Sequence, residues 1–255
     1  MEASFLAAVS GAVVALLLTL FGGGGSVLAT PLLLYVVGVR DAHMAIGTSA
    51  AAVAINAAVG LAAHARTGRV KWPCALTFGA PGLIGSLVGA HLAKAVSGSH
   101  LLAGFALAMA AVGLSMFRAP RSPGDPDVHI DHAKAIRLVP AGAATGLTSG
   151  FFGIGGGFLI APGLMAATGM TLANAAASSL VSVTLFGAAT SLSYAASGLV
   201  DGRLLLALVG GGAVGVLAGA RLAPRLASRA LLARRLFATM IVVTAVYVLW
   251  RAIAA

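Results

Sequence analysis

Apolar residues fill this chain in long runs, and glycine, proline or charge breaks the runs at intervals. The runs cover roughly 4–21, 27–39, 43–64, 73–93 and 100–118, then 135–151, 158–169, 172–196, 203–222 and 231–251. A helix needs ~20 residues to cross a bilayer, so most of these runs predict membrane-crossing helices. The chain therefore reads as an all-α polytopic membrane protein with about five hydrophobic segments in each half. The runs that follow the glycine clusters hold only about a dozen residues before Gly38 or Gly169. They are either short crossings or re-entrant half-helices, since irregular backbone at that depth needs protein or a water-filled cavity around it.

The pattern occurs twice. Phe21-Gly22-Gly23-Gly24-Gly25-Ser26-Val27-Leu28-Ala29-Thr30-Pro31 returns as Phe152-Gly153-Ile154-Gly155-Gly156-Gly157-Phe158-Leu159-Ile160-Ala161-Pro162. Gly38 then matches Gly169, and Thr48-Ser49 matches Ser178-Ser179 after a one-residue gap. Gly68 matches Gly198, while Gly82, Gly85 and Gly89 match Gly212, Gly215 and Gly219. The predicted organisation is a first transmembrane repeat at 1–118, a polar linker at 119–134 and a second repeat at 135–255. A doubled, glycine-interrupted segment of this kind points to a transporter binding site between the halves.

Composition agrees. Hydrophobic residues make up 60% of the 255 and charged residues only 9%, against about a quarter charged in a soluble domain. The net charge of +10 is spread between apolar runs, so it describes loop anchors facing the cytoplasm and not a nucleic-acid surface. Cys74 stands alone, which excludes an internal disulfide. No lysine or arginine precedes the first apolar run, so that run is expected to stay as a helix and not to be removed as a signal.

Charge also predicts topology. Arg66, Arg69 and Lys71 crowd the loop between the third and fourth segments, whereas the matching loop has Asp201 and Arg203. The next loop reverses this, with Lys94 in the first half and Arg221, Arg225, Arg229, Arg234 and Arg235 in the second. Under the positive-inside rule the halves then have opposite orientations. Five crossings per half would produce that inversion, with the linker (Arg118, Arg121, Lys134, Arg137) in the cytoplasm and both termini outside. The linker itself, rich in Pro120, Pro123, Gly124 and Pro126, reads as a solvated connector. Its Asp127, His129, Asp131 and His132 lack the folded support that a metal site needs, so no metal or cofactor is expected.

Candidate chemistry begins with the glycine turns. Gly24 and Gly25, with Gly155, Gly156 and Gly157, permit positive φ and expose backbone N–H groups where a new helix opens. Amides plus the helix dipole make an anion cradle without arginine. The competing reading is that these glycines only let helices pack closely. Neither a Gly-Lys-Ser/Thr P-loop nor a dinucleotide fingerprint is present. The hydroxyl pairs Thr48-Ser49 and Ser178-Ser179 come next, set near the start of long apolar helices. Ser49, Asn56, Gly60 and His64 fall on one helix face, repeated by Ser179, Thr190 and Tyr194 with Phe186 in place of the asparagine. Such hydroxyls also bond back to their own helix, but an amide in hydrocarbon must find partners, which singles out Asn56. His64 is a candidate proton relay or an interfacial histidine. Arg40 and Asp41 read as a solvated pair. Gly85-x-x-x-Gly89 and Gly215-x-x-x-Gly219 read as packing patterns.

The doubled Gly-rich…Pro pattern, followed by Ala45-Ile46-Gly47-Thr48-Ser49 and by Ala175-Ala176-Ala177-Ser178-Ser179, resembles the TauE/SafE family of membrane transporters, the sulfite exporters. The likeness spans essentially the whole chain. It departs at Ser26, where a third glycine would stand, and at Ala177-Ser178 in place of Gly-Thr. The resemblance implies a multi-pass inner-membrane protein that moves small sulfur-containing or related organic anions, such as sulfite or sulfonates.

Together these readings predict a secondary transporter of a small oxyanion and not an enzyme. Its partners are the anion and the lipid bilayer, with room for a homo-oligomer. No ATP motif is present, so a gradient would drive transport. A passive anion channel of the same architecture is the first rival. An intramembrane hydrolase with Ser149 as nucleophile is a remote one, since 135–255 contains no histidine to act as base.

Overall fold

A computed structural model of the chain describes residues 2–66, 68–117, 124–153, 157–227 and 230–254. The predicted linker residues Arg118, Pro120, Arg121 and Pro123 lie outside the described residues. Helix α1 (Glu2–Phe21) leads into a 3-10 helix (Gly22–Leu28), then α2 (Ala29–Leu32), which widens into a π-turn (Leu33–Val37). Helices α3 (Ala42–Ala65), α4 (Trp72–Ala93) and α5 (Gly98–Met116) complete the first half. The second half holds α6 (His132–Phe152), α7 (Gly157–Thr168), α8 (Leu172–Ala195), α9 (Gly202–Ala227) and α10 (Ala230–Ala254). The fold is all-α, and the sheet-like pairing among the described residues is one isolated bridge between Asp125 and Met170.

Local chemistry sets the helix ends. The Asp41 carboxylate accepts from the His43 N–H at 2.8 Å and opens α3, and Asp131 accepts from the Lys134 N–H at 2.7 Å and opens α6. Thr171 does the same for α8 through the Asn174 N–H at 3.3 Å. These caps satisfy donors that have no partner within the helix. The breaks fall at glycines in the left-handed region, and they come in repeat-matched pairs. Gly22 and Gly153 have φ of 67° and 66°, Gly38 and Gly169 of 86° and 74°, and Gly68 and Gly198 of 68° and 72°. The regular helix from Ala29 to Val37 rises about 14 Å and α7 about 18 Å at 1.5 Å per residue. Neither spans the ~30 Å hydrocarbon layer alone.

Packing follows the repeat. Helix α1 lies on α9 and α6 lies on α4, while α3 pairs with its counterpart α8, and α5 with α10. The α4–α6 crossing is parallel and close because glycine replaces side chains on both faces. A Cβ on Gly142, Gly146 or Gly150 would run into the backbone of Phe78, Gly82 or Ser86 in turn. On α9, Gly211, Gly215 and Gly219 meet the backbone of Ala8, Ala12 and Leu16 in α1 in the same way. Small residues let helices approach where no hydrophobic force separates protein from lipid. The packing reading of the Gly-x-x-x-Gly patterns describes these contacts.

Helices α3 and α8 run antiparallel: Gly47 lies by Tyr194, Gly187 by Ala50 and Ala54, and Gly60 by Leu180. The bundle thus has two distinct ends. At the Lys94 end, the start of α3 meets the end of α8, and Lys94 Nζ donates to the Ser193 carbonyl and Ser197 hydroxyl at 3.1 Å each. At the linker end, residues 124–131 cover the start of α8. Asp125 N–H donates to the Gly169 carbonyl at 2.8 Å, and Asn174 Nδ2 to the Pro126 carbonyl at 2.8 Å. The described part of the linker is therefore pinned to the fold and not merely solvated. Lys71 also reaches Asp127 at 3.8 Å, and Lys134 pairs with Asp131 at 2.9 Å.

The flanks face lipid. Ile84, Leu206, Val214, Leu217, Val243 and Val246 are all exposed large apolar side chains. Among the described residues six helices are long and apolar enough to cross a membrane: α1, α3, α4, α5, α8 and α9. Half-exposed Trp72 stands at the linker end and Trp250 near the Lys94 end, as aromatic side chains do at the two bilayer surfaces.

Candidate functional site

The 3-10 helix of the first glycine turn touches both α7 and α8, and the left-handed glycines of the two turns stand near opposite ends of the antiparallel α3–α8 pair. The left-handed residue of each turn leans on the other half. A Cβ on Gly22 would stand 2.6 Å from the Ala176 carbonyl oxygen, and one on Gly153 would collide with the Ile46 side chain. Ile46 and Ala176 are repeat-matched positions just ahead of the two hydroxyl pairs.

Positive φ therefore falls at Gly22 and Gly153, and Gly24 and Gly25 instead lie within the 3-10 helix. This corrects the expectation that Gly24 and Gly25 supply the left-handed turn. A Cβ on Gly25 would strike the backbone of Leu17 and Leu18, so its bareness lets the chain fold back on α1. Gly157 opens α7. Gly155 and Gly156 lie outside the described residues.

The hydroxyl pairs divide their tasks identically in the two halves. Thr48 Oγ1 accepts from the Asp201 N–H at 2.9 Å, and Ser178 Oγ accepts from the Lys71 N–H at 2.9 Å. Each thereby tethers the loop that opens α9 or α4, across the interface between the repeats. Ser49 Oγ donates to the Ile46 carbonyl at 3.0 Å, and Ser179 Oγ to the Ala176 carbonyl at 2.8 Å. Ser49 also lies 2.9 Å from Thr30 Oγ1, a hydroxyl of the glycine-turn segment. Ser26, Thr30, Ser49 and Ser179 are all buried, and the Thr30–Ser49 contact joins the glycine-turn segment to α3 in a polar seam.

The polar stripe of α3 points inward. Asn56 is 2% exposed, and a Cβ on Gly212 of α9 would collide with its amide. In the other half Phe186 takes the same place against Gly82. On α8, Thr190 and Tyr194 are fully buried, and their hydroxyls have no hydrogen-bond partner. His64 is half-buried at the linker end of α3, beside the Thr19 backbone and Arg69. It is separated from Ser49 by most of the helix.

Several features escaped the sequence. Thr30 carries no repeat signal, because Ala161 replaces it in the second copy. Arg40 and Asp41 form no ion pair: the carboxylate caps α3 instead. Arg251, distant in sequence, sits over the Tyr35 and Tyr247 rings at 5.4 and 6.0 Å. Ser149 is buried, and its hydroxyl has no hydrogen-bond partner among the described residues. Among the described residues no three His, Cys, Asp or Glu side chains gather as a metal site.

Comparison with known proteins matches this architecture to a family. The sequence model described as "Sulfite exporter TauE/SafE" matches residues 7–248. A "Probable membrane transporter protein" of Xylella fastidiosa (strain Temecula1) is 44% identical over 250 residues, covering 95% of this chain and 93% of that protein. Relatives with the same description occur in Bacillus subtilis, 28% identical over 78% of this chain and 81% of the relative, and in Methanocaldococcus jannaschii, 31% identical over 60% and 58%. No solved structure matches the chain.

Proposed function

The chain belongs to the TauE/SafE sulfite exporter family, and on that premise we propose that this multi-pass membrane transporter carries a small oxyanion by alternating access. The anion, sulfite, a sulfonate or a related sulfur-containing or organic oxyanion, would rest in the polar seam. The observation that carries this reading is the buried hydroxyl contact of Thr30 with Ser49 at 2.9 Å, where the segment after the first glycine turn meets α3. Hydroxyls and backbone amides donate to an oxyanion without trapping it as a buried arginine would.

In this reading Ser49, Ser179 and the amides around Gly24, Gly25 and Gly155–Gly157 hold the anion. Thr48 and Ser178 brace the loops that must move with the site, and Asn56 orients the anion or a water. His64 would take a coupling proton near the cytoplasmic mouth. The halves form inverted repeats of five segments, with the linker in the cytoplasm and the outer ends of α1 and α10 outside the inner membrane. Rocking of one repeat on the other would then expose the seam to each side in turn.

Purified protein in liposomes tests the proposal by counterflow of labelled sulfite, competed by sulfate, thiosulfate, small sulfonates and carboxylates. Saturable exchange selective within this panel supports the carrier. Large uncoupled currents would assign a channel, and no exchange from folded protein with a pH gradient imposed would sink the anion assignment. Loss of exchange in the Ser49→Ala/Ser179→Ala double variant is the expected site result.

A further inference from the structure

A second polar feature lies away from the seam, at the Lys94 end. A hollow of about 490 Å³ opens between the Gly38–His43 turn, the start of α5 and the end of α10. Tyr35, Arg40, Asp41, His43, Ser99 and Arg251 line it. We propose that this hollow is an outer docking site for the transported oxyanion, with Arg40 and Arg251 as its cationic groups; the proposal rests on the transport reading above.

Three observations support it. First, the lining of the hollow carries a net positive charge, and one of its two arginines is held in place. The Arg251 guanidinium lies over Tyr35 and Tyr247, whose rings meet edge to face at 5.2 Å. Aromatic faces hold a cation in place and leave its full charge available to an anion. Neither Arg40 nor Arg251 forms an ion pair among the described residues, and the Asp41 carboxylate, which keeps its charge while capping α3, leaves two arginines against one acid in the lining. An arginine fork matches an oxyanion's geometry, and two like charges in a hollow draw anions toward it.

Second, His43, a residue of the lining, carries an unused polar atom. His43 Nδ1 is buried without a hydrogen-bond partner, and its ring stacks on Tyr194 at 6.2 Å. A buried nitrogen left unpaired is uncommon in a finished structure.

Third, the hollow is not a by-product of the repeat. The matching turn at the other end, Gly169–Thr171, is covered by the linker: Asp125 bonds both Gly169 and Thr171 through its backbone. That end is therefore closed over its turn, and its Asp127 faces Lys71 at 3.8 Å. The Gly38–His43 turn also joins the segment carrying Thr30 to the helix carrying Ser49. An anion docked there lies on the two elements that form the seam.

The experiment measures sulfite counterflow from each face, in vesicles whose orientation is read from protease access to the 124–131 linker. Wild type is compared with Arg40→Gln/Arg251→Gln and with Arg40→Lys/Arg251→Lys. In the glutamine variant, KM for sulfite offered at the Lys94 end should rise about three- to tenfold, as expected for exposed charges. The maximal rate and the KM at the linker end should hold, and lysine should restore most of the affinity. An unchanged KM at the Lys94 end, or an equal rise from both ends, would overturn the proposal while the carrier reading stands. If wild type shows no counterflow, the carrier reading fails, and a binding test still decides the hollow. In a Trp72→Phe background, the remaining Trp250, 6.4 Å from Tyr247, should report saturable sulfite and sulfate binding. Loss of that signal in the glutamine variant supports the docking site, and its absence in the Arg40/Arg251 protein overturns it.

Discussion

The amide of Asn56 in α3 rests on the bare backbone of Gly212 in α9, and no methyl group would fit between them. The matched pair, Phe186 on Gly82, fills the same volume with a hydrocarbon ring. Among the large inward positions this is where the two halves differ most in chemistry, and polarity kept at one of two equivalent places marks a use for it.

Asn56→Leu should therefore preserve the fold and damage transport. An apolar group of similar shape removes the need for hydrogen bonds in the interior, so the melting temperature should stay within a few degrees. Sulfite counterflow should fall about tenfold or more, equivalent to ~1.4 kcal/mol of lost interaction. Full counterflow from the leucine variant would remove Asn56 from the site.

Two glycine substitutions should separate close packing from backbone conformation. Gly146→Ala forces a methyl group into the Gly82 backbone, and overpacking of this kind costs about 1–3 kcal/mol or more. Gly38→Ala meets nothing within 4 Å and pays only for its φ of 86°, about 1–2 kcal/mol. Thermal unfolding in detergent should rank Gly146→Ala as the more damaging. The reverse order would mean that the α4–α6 crossing relaxes readily.

Thr48→Val and Ser178→Ala should behave alike, because each removes the acceptor for one loop N–H. A buried donor left alone costs ~1–3 kcal/mol. Both variants should melt earlier and keep the KM of whatever protein folds. Ser49→Ala/Ser179→Ala should show the opposite split, near-normal melting with lost exchange. Equal melting losses in all of these variants would erase the division of tasks between neighbouring hydroxyls.

Acid should reveal the cap of α6. Hydrogen bonds from the Lys134 side chain and N–H hold the Asp131 carboxyl below the usual carboxylate range. A depressed folded pKa stabilises above the unfolded value and loses that contribution as pH falls through the folded one. Asp131→Ala should therefore lower the melting temperature at neutral pH, with the gap to wild type closing under acid. A gap constant down to strongly acidic pH would show that the carboxylate's charge is not what matters.

The duplication was legible because backbone conformation leaves its mark on residue type. Gly38 with Gly169 and Gly68 with Gly198 were matched as letters and stand as matched left-handed breaks. The glycine clusters were harder to read. Four glycines in a row tell that the chain needs freedom somewhere, and only the contact with Ala176 selects Gly22. Adjacent hydroxyls were likewise indistinguishable in sequence. Successive helix positions point about 100° apart, so Thr48 reaches the Asp201 N–H while Ser49 turns toward Thr30. The Arg40–Arg251 hollow was invisible, since no local pattern joins residues from opposite ends of the chain.

The exchange of partners between repeats has a further consequence. When α3 pairs with α8, α5 with α10, and α1–α9 mirrors α6–α4, each half meets the other with the same surface it is met by. On the proposed inverted-repeat reading, the molecule is in symmetry terms an isologous dimer in which a linker has replaced mass action. Joining the copies freed each from having to serve both places. Asn56 could remain polar while Phe186 became aromatic, and one turn could stay open as a hollow while its counterpart was covered by the linker.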